Sequence, residues 1–288
     1  MIKDTLLKFK FFQKLVEIKL LLKSIIRRTK LLERKFDKKS LSDFDQMVHN
    51  SEYIYEKEIE LVPKMITEGS VVFDIGANRG EYSYYFAQVV GSKGQVYAFE
   101  PGKRAFSLLQ KIKDKYQLEN VITKKLALSE RVGSHVLIVP YFNRQSQLSN
   151  SNPIKGRKET ISLNTLDNFI SEYGIERLDF IKCDTEGSEL FVFKGGINTL
   201  KMYTPTILVE IAESHTERFN YKSGDVIDFL TVLGYIPYYF NYKSKELERI
   251  SKIEMKPDSH VWSKLDGNLS NNNYFFIHKS KQKSASLI

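Results

Sequence analysis

The sequence predicts a doubly wound α/β domain, a mostly parallel sheet with helices on both faces. Three observations carry this. From about residue 50 onward, short apolar runs alternate with amphipathic helical stretches. The first clear run, VVFDIG (71–76), opens into a glycine-containing turn and then a helix. Strands separated by helices need crossover connections, and these generate parallel pairing covered on both sides. With 288 residues, 42% hydrophobic and 27% charged, the chain has the balance of a soluble globular protein and can bury a sizeable core. The expected organisation is a helical extension over 1–48, one main domain over 49–280 and a polar tail over 281–288.

The formal charge of +9 is uneven. Residues 1–40 hold 13 Lys and Arg against 4 Asp and Glu, while the remainder is balanced at 31 of each. Apolar residues recur there at helical spacing through Leu7, Phe11, Leu15, Ile18, Leu22 and Ile25, with Lys19, Lys23, Arg27 and Lys30 along another side. No apolar run exceeds three residues, against the roughly 20 that cross a bilayer. The spacing predicts a basic amphipathic helix that packs on the main domain or on a second copy in a homo-oligomer, or lies peripherally on an anionic membrane surface. Nucleic acid is the remaining partner for so basic an arm, disfavoured because the catalytic-sized part has no net charge to form a basic groove. A single cysteine, Cys183, excludes a disulfide framework. The expected setting is therefore cytoplasmic, or the inner face of a membrane.

Along the domain, SEYIYEKEIELVPKMI (51–66) reads as a helix stopped at Glu68-Gly69. After VVFDIG come the helix EYSYYFAQVV (81–90), the strand QVYAFE (95–100) and a helix from Lys103 to Tyr116. VITKKLAL (121–128) and SHVLIVP (134–140) are strands, followed by a polar loop from Asn143 to Lys158 and the strand ETISL (159–163). TLDNFISEYG is a helix, LDFIKCD (178–184) a strand with a helix after it, and TILVEI (206–211) another strand. IAESHTERF is read as a loop, DVIDFLTVLGY as a helix, and YIPYYFNY and NNNYFFIHK as two late aromatic strands.

In such a sheet, ligands sit outside the carboxyl ends of the strands. Gly76 and Gly80 let the turn after the first strand take positive φ and approach a ligand closely, and Asn78 tolerates left-handed geometry. Asp74 places an acceptor just ahead of the turn. A dinucleotide fingerprint counted from Gly76 needs glycine at 78 and 81, where the chain has Asn78 and Glu81; no GxxxxGK[ST] occurs. An acid at the helix start disfavours a phosphate ligand and suits one with an amino group. Glu100 stands where a carboxylate accepts from both ribose hydroxyls, which fits an adenosine ligand of either the NAD or the S-adenosylmethionine kind.

DFIKCDTEGSE (179–189) sets Asp184 and Glu186 beside Gly187 at the end of a strand. Like charges there are costly as mere structure and useful if one takes a proton from a hydroxyl while the other orients substrate. Glu186 is the first candidate base, Asp184 the second and His215 the third. Asp184, Glu186 and Glu210 could instead hold a divalent cation such as Mg²⁺; three acids do not establish a metal site, and none is assigned. Cys183 reads as a core residue.

VFDIGANRGEYS, YAFEP, LALSE, FIKCDTEGSE and ILVEI resemble, in order and spacing, the successive motifs of the FkbM-type methyltransferases, a branch of the class I S-adenosylmethionine-dependent enzymes. The resemblance covers roughly residues 68–240. It implies a Rossmann-like sheet of seven strands whose last, NNNYFFIHK, is antiparallel. It also implies that Asp74, Gly76 and Asn78 face the methionine part of the cofactor, Glu100 the ribose, and Ala127 with Leu128 the adenine. Asp184 and Glu186 then lie near the transferred methyl. Arg79 departs from the small or aliphatic residue expected between Asn78 and Gly80. The activity implied is O-methylation of a hydroxyl on a sugar, glycan or secondary metabolite, with aromatic residues such as Tyr82, Tyr84, Tyr141, Tyr238 and Tyr239 offering stacking surfaces. The alternatives are an NAD-dependent oxidoreductase, which conflicts with Asn78 and Glu81, and a nucleic-acid methyltransferase, which lacks a [DNS]PP[YFW] motif after the DFIKCD strand.

Overall fold

The computed structural model describes residues 37–50, 57–140, 147–148, 156–241, 243–250, 264–265, 268–269 and 272–281. The basic amphipathic helix expected before residue 37, Tyr141, most of the polar loop and the tail beyond 281 lie outside the described residues. The chain divides into two units, Met1–Tyr55 and Glu56–Ile288. In the first, residues 37–49 form a helix, α1. Among the described residues, the second holds all the strands. Among the described residues, no helix is long and apolar enough to cross a membrane.

The second unit begins with a 3-10 turn, Lys57–Leu61, and α2, Val62–Met65, where Pro63 in the first turn gives up no hydrogen bond. The continuous helix expected over 51–66 is thus, in its described part, two short turns. Then β1 (Val71–Ile75), α3 (Glu81–Val90), β2 (Gln95–Phe99), α4 (Lys103–Lys115) and β3 (Val121–Lys124) alternate as the periodicity requires. β4 (Ala127–Leu128), β5 (Gly133–Pro140), β6 (Gln147–Leu148) and β7 (Gly156–Asn164) follow before α5 (Leu166–Glu172) and β8 (Phe180–Cys183). The rest comprises α6 (Glu189–Lys194), α7 (Ile197–Tyr203), β9 (Thr206–Glu210), α8 (Glu213–Thr216), α9 (Ser223–Val232), β10 (Tyr235–Asn241), β11 (Glu246–Arg249), β12 (Lys264–Leu265), β13 (Asn268–Leu269) and β14 (Asn273–His278).

The main sheet runs β11-β10-β14-β9-β8-β1-β2-β3. Its pairs from β9 to β3 are parallel, and β14 is antiparallel to both β9 and β10. The late aromatic strand NNNYFFIHK is therefore the antiparallel strand of a Rossmann-like sheet, which β11 lengthens by one strand at the edge. From β1 the chain builds outward to β2 and β3, then returns to add β8 on the other side. Strand order therefore reverses at β1 and β8. Their carboxyl ends, level in register at Ile75 and Cys183, are where a doubly wound sheet opens a crevice.

Two expectations need correction. VITKKLAL is not one strand: pairing with β2 ends at Lys124, and Ala127–Leu128 joins β7 in a separate four-stranded sheet of order β4-β7-β5-β6. The β5–β7 hairpin has its own small core of Leu137, Ile161 and Leu163, backed by Ala127 and Val139, so burying that face draws the chain off the main sheet. IAESHTERF is not a loop but α8 followed by a 3-10 turn at Glu217–Phe219; the Ala212 carbonyl accepts from the His215 and Thr216 amides.

The core fills both faces of the central strands. Phe73, Phe99 and Phe169 meet edge to face or tilted, with ring centroids 4.8 to 5.7 Å apart, alongside Ile181, Ile207 and Val209. Cys183 is fully buried in the same core, and burial, with the charges of Glu189 and Asp184, holds its thiol well above its ordinary range.

One close approach fixes the centre. Gly76, at φ 82°, donates its N–H to the Phe99 carbonyl, while the Asp184 amide donates to Ile75. A Cβ at position 76 would lie 1.7 Å from the Asp184 carbonyl oxygen. Gly76→Ala is therefore expected to cost about 3 kcal/mol or more of stability in urea denaturation, combining backbone strain with a clash that backbone alone can relieve. Gly174→Ala, with a similar positive φ but nothing within 4 Å, should cost only about 1 kcal/mol.

Candidate active site

The turn after β1 and the loop after β8 meet across a cavity of about 90 Å³. Gly76, Asn78, Glu100, Ala127, Leu128, Asp184 and Glu186 all line it, together with Phe99, Leu126 and Leu137. Seven of the residues singled out in the sequence thus share one wall system. Asp74, Gly80 and His215 do not line it. Gly80 instead starts α3 and faces α4, where a Cβ would come within 2.5 Å of Leu109 Cδ1. Of the tyrosines, Tyr82 is buried against Phe86, Tyr84 packs on Tyr85 and Tyr116, and Tyr239 donates to Glu248. None of them reaches the cavity.

Glu100 is held from two sides. Its Oε1 accepts from the Gly102 N–H at 2.7 Å and its Oε2 from the Asn78 N–H at 3.0 Å. Asn78 makes that bond from a left-handed backbone, φ 50°. A carboxylate has about four lone-pair sites, so each oxygen keeps acceptor capacity toward the cavity. Burial pushes the Glu100 pKa up to about 7, against the two N–H donors that lower it.

Asp74 is buried beneath the turn. Its Oδ2 accepts from Ser83 Oγ on α3 at 2.5 Å, and its Oδ1 has no hydrogen-bond partner. Burial raises its pKa to about 6, partly offset by the Lys182 charge. Lys182 is the neighbour of Asp74 in register between β8 and β1. Its ammonium, almost wholly buried, lies 2.7 Å from Asp184 Oδ2 and 4.7 Å from the Tyr82 ring centroid. Burial alone would raise Asp184, but the Lys182 charge, with hydrogen bonds from Lys182 and Glu210, brings it below the usual carboxylate range.

The acids around Glu186 move the other way. Burial, then the charges of Asp184 and Glu189, lift its pKa to about 8. Glu210, at the end of β9, is raised well above the ordinary range by burial and by Asp184 and Glu186, and donates its proton to Asp184. His215 on α8 places Nε2 3.4 Å from Glu186 Oε2 and Nδ1 3.9 Å from Glu210 Oε2. The structure thus brings Asp184, Glu186, Glu210 and His215 into one cluster. Among the described residues, no group of three or more His, Cys, Asp and Glu has the arrangement of a metal site.

The loop carrying Glu186 is tightly specified. One oxygen of the buried Glu189 accepts from the Thr185 N–H at 2.9 Å, the Thr185 hydroxyl at 2.9 Å and the Gly187 N–H at 3.0 Å. Tyr221 donates to the Gly187 carbonyl at 2.6 Å. Glu186 itself is left-handed, φ 57°, a strained setting for a non-glycine residue that the surrounding bonds enforce. Sequence reasoning overlooked Lys182, Glu189 and Tyr221. A lysine inside the apolar run FIKC, on the same face as Asp74 across the register, is the signal that could have revealed the first.

The profile of a family described as Methyltransferase FkbM domain matches residues 74–237, a span that begins at Asp74 and contains every site residue named so far. The chain belongs to the FkbM methyltransferase family. It is similar to the methyltransferase FkbM of Methylobacillus flagellatus at 17% identity and a TM-score of 0.47, over 74% of this chain and 44% of that one. The chain therefore spans less than half the length of that relative. It is also similar to a SAM-dependent O-methyltransferase of Thermotoga maritima (15% identity, TM-score 0.40, 81% of this chain and 69% of that one). A candidate methyltransferase of Streptococcus mutans in complex with SAH is similar at 9% identity and a TM-score of 0.45, over 77% and 95% of the two chains.

The raised pKa of Glu186 has a signed consequence. A carboxyl at about 8 when folded and 4.5 when unfolded binds its proton more tightly in the folded state. Its contribution to stability is fully present below pH 4.5 and is lost as the pH climbs through 8. Glu186→Gln should remove that loss, so thermal unfolding is expected to show the variant gaining on the parent chain from pH 5 to pH 8 and not beyond.

Proposed function

We propose that this FkbM-family chain uses S-adenosylmethionine to methylate a hydroxyl group of a sugar, glycan or secondary metabolite. The observation that carries the reading is that Glu100 and Glu186, an open hydrogen-bond acceptor and a carboxyl with a pKa near 8, line the same cavity at the ends of β2 and β8. The residues present fit the cofactor. Glu100 would accept from the ribose hydroxyls. Asp74, with its unpartnered Oδ1 beneath the turn, adds negative charge that favours an ammonium group nearby, and the apolar Ala127, Leu128 and Leu137 of the cavity wall suit a flat base.

When bound, S-adenosylmethionine supplies a methyl group on a cationic sulfonium, already activated for in-line displacement. What remains for the protein is alignment and proton removal. A sugar hydroxyl is almost entirely un-ionised at neutral pH, so its proton must leave as the carbon–oxygen bond forms. Glu186 takes it: a base with a pKa near the working pH combines a useful ionised fraction with driving force. Asp184, kept ionised by Lys182, favours the cationic side of the site and orients the acceptor. His215 stands behind Glu186, with Nε2 3.4 Å from its Oε2, able to receive the proton from it.

Glu186→Gln is expected to lower the transfer rate by about 10²-fold or more while leaving S-adenosylmethionine affinity within a few-fold; full activity in that variant would remove Glu186 from the mechanism. In the parent chain the rate should rise with pH, reach half its plateau near pH 8 and level off above it. Glu100→Gln should instead weaken cofactor binding, by about tenfold for a lost charged acceptor. Calorimetric titration with S-adenosylmethionine against NAD decides between methyl transfer and hydride transfer, and binding of NAD alone would overturn the proposal.

A further inference from the structure

The turn formed by α8 and the following 3-10 turn carries two polar atoms that nothing in the protein satisfies. Ser214 Oγ and Arg218 Nη1 are both shielded from solvent, and neither has a hydrogen-bond partner. They stand four residues apart, Ser214 in α8 and Arg218 in the 3-10 turn that continues it. His215, between them in sequence, reaches Glu186.

This turn lies directly against the candidate base. Gly187, next to Glu186, is at φ 107°; a Cβ there would be 2.3 Å from the His215 carbonyl oxygen and 2.9 Å from Phe219 Cε2. Only glycine lets the two segments meet so closely. Arg218 is near enough for its charge to act on Glu186, yet it makes no ion pair with it. The acids on its own turn do not serve it either: Glu213 accepts from the Ser223 N–H, and Glu217 is exposed.

A buried guanidinium nitrogen without an acceptor carries an uncompensated desolvation cost, which an incoming anion would recover. The two cations near Glu186 differ in this respect. Lys182 is engaged by Asp184, whereas Arg218 is uncommitted. Phe219, adjacent to Arg218, also lines a second cavity of about 120 Å³ with Phe191, Arg131, His135 and Glu130, an aromatic and mixed-charge surface for the remainder of the acceptor. The fork of a guanidinium matches a carboxylate or phosphate, and the Ser214 hydroxyl, four residues earlier on the same turn, is a second unsatisfied donor.

We propose that Arg218, assisted by Ser214, is the anion subsite for the acceptor, so that the hydroxyl offered to Glu186 belongs to an acidic sugar bearing a carboxylate or a phosphate. This specificity rests on the methyl-transfer reading above and narrows its substrate class. Arg218 is the specificity-determining residue, and neutral sugars lack the group it would hold.

The test uses the full chain saturated with S-adenosylhomocysteine. The methyl glycosides of glucose, galactose and mannose, the corresponding uronic acids and the 6-phosphates are titrated in turn by calorimetry. At least one acidic probe is expected to bind tenfold or more tighter than its neutral parent, and comparison of the uronic-acid and phosphate arms identifies the anion. Arg218→Met should abolish the preference, Arg218→Lys retain part of it and Ser214→Ala reduce it less, with S-adenosylhomocysteine affinity unchanged in all three as the control for folding. Equal binding of acidic and neutral probes, no binding by any probe, or a preference that survives in Arg218→Met overturns the inference while leaving the cofactor reading intact. Failure of the parent chain to bind S-adenosylmethionine or S-adenosylhomocysteine would remove both.

Discussion

One buried ammonium sets the electrostatics of the crevice. Asp74, Glu100, Asp184, Glu186 and Glu210 converge at the ends of β1, β2, β8 and β9, a density of acid that could not all remain ionised away from bulk water. Lys182 is the cation placed among them, paired with Asp184 and adjacent in register to Asp74. Its charge is spent unevenly. Asp184 falls below the ordinary range, while Glu186 and Glu210 are left with raised pKa values and retain protons. Two roles that chemistry requires, a permanent anion and a titratable base, thus arise two residues apart on one loop: Lys182 pairs with Asp184, while burial and the neighbouring acids raise Glu186.

Shape in this loop is maintained separately from reactivity. The Glu189 carboxylate gathers three donors from Thr185 and Gly187, and Tyr221 fixes the Gly187 carbonyl. None of those groups is asked to move a proton. Glu186 is therefore held in its left-handed conformation by its neighbours rather than by its own side chain. The same separation appears at the other wall, where the backbone of Asn78 and Gly102 positions Glu100 while the cavity side of that carboxylate stays open.

Much of this was legible in the sequence because the relevant signals are local. The alternation of apolar strand and amphipathic helix gave the order of β1, β2, β8 and β9, and residues at strand ends converge by the geometry of a parallel sheet. Asn78, Glu100 and the Asp184-Glu186 pair were therefore visible as a constellation. What was not visible depends on pairing between distant segments. Ala127–Leu128 is too short to declare which sheet it joins, and its partner β7 lies beyond a long polar stretch. Gly80 looked like a ligand contact because a glycine near a turn can serve either backbone or neighbour; here Leu109 on α4 is the neighbour. Lys182 gains its meaning only when register sets it beside Asp74, and Arg218 only when Gly187 admits its turn to the site. IAESHTERF has too few apolar residues to display helical periodicity over the four residues that adopt it.

The single cysteine has a practical consequence. Cys183 is enclosed on all sides in the core and its thiol is kept protonated by the surrounding acids and apolar walls. Thiolate, the form that maleimides and related reagents attack, is scarce and out of their reach. A cysteine introduced on the surface would then be the one reactive thiol of the chain, so that a fluorophore or spin label could be attached at a chosen point without first removing a residue that fills the centre of the sheet.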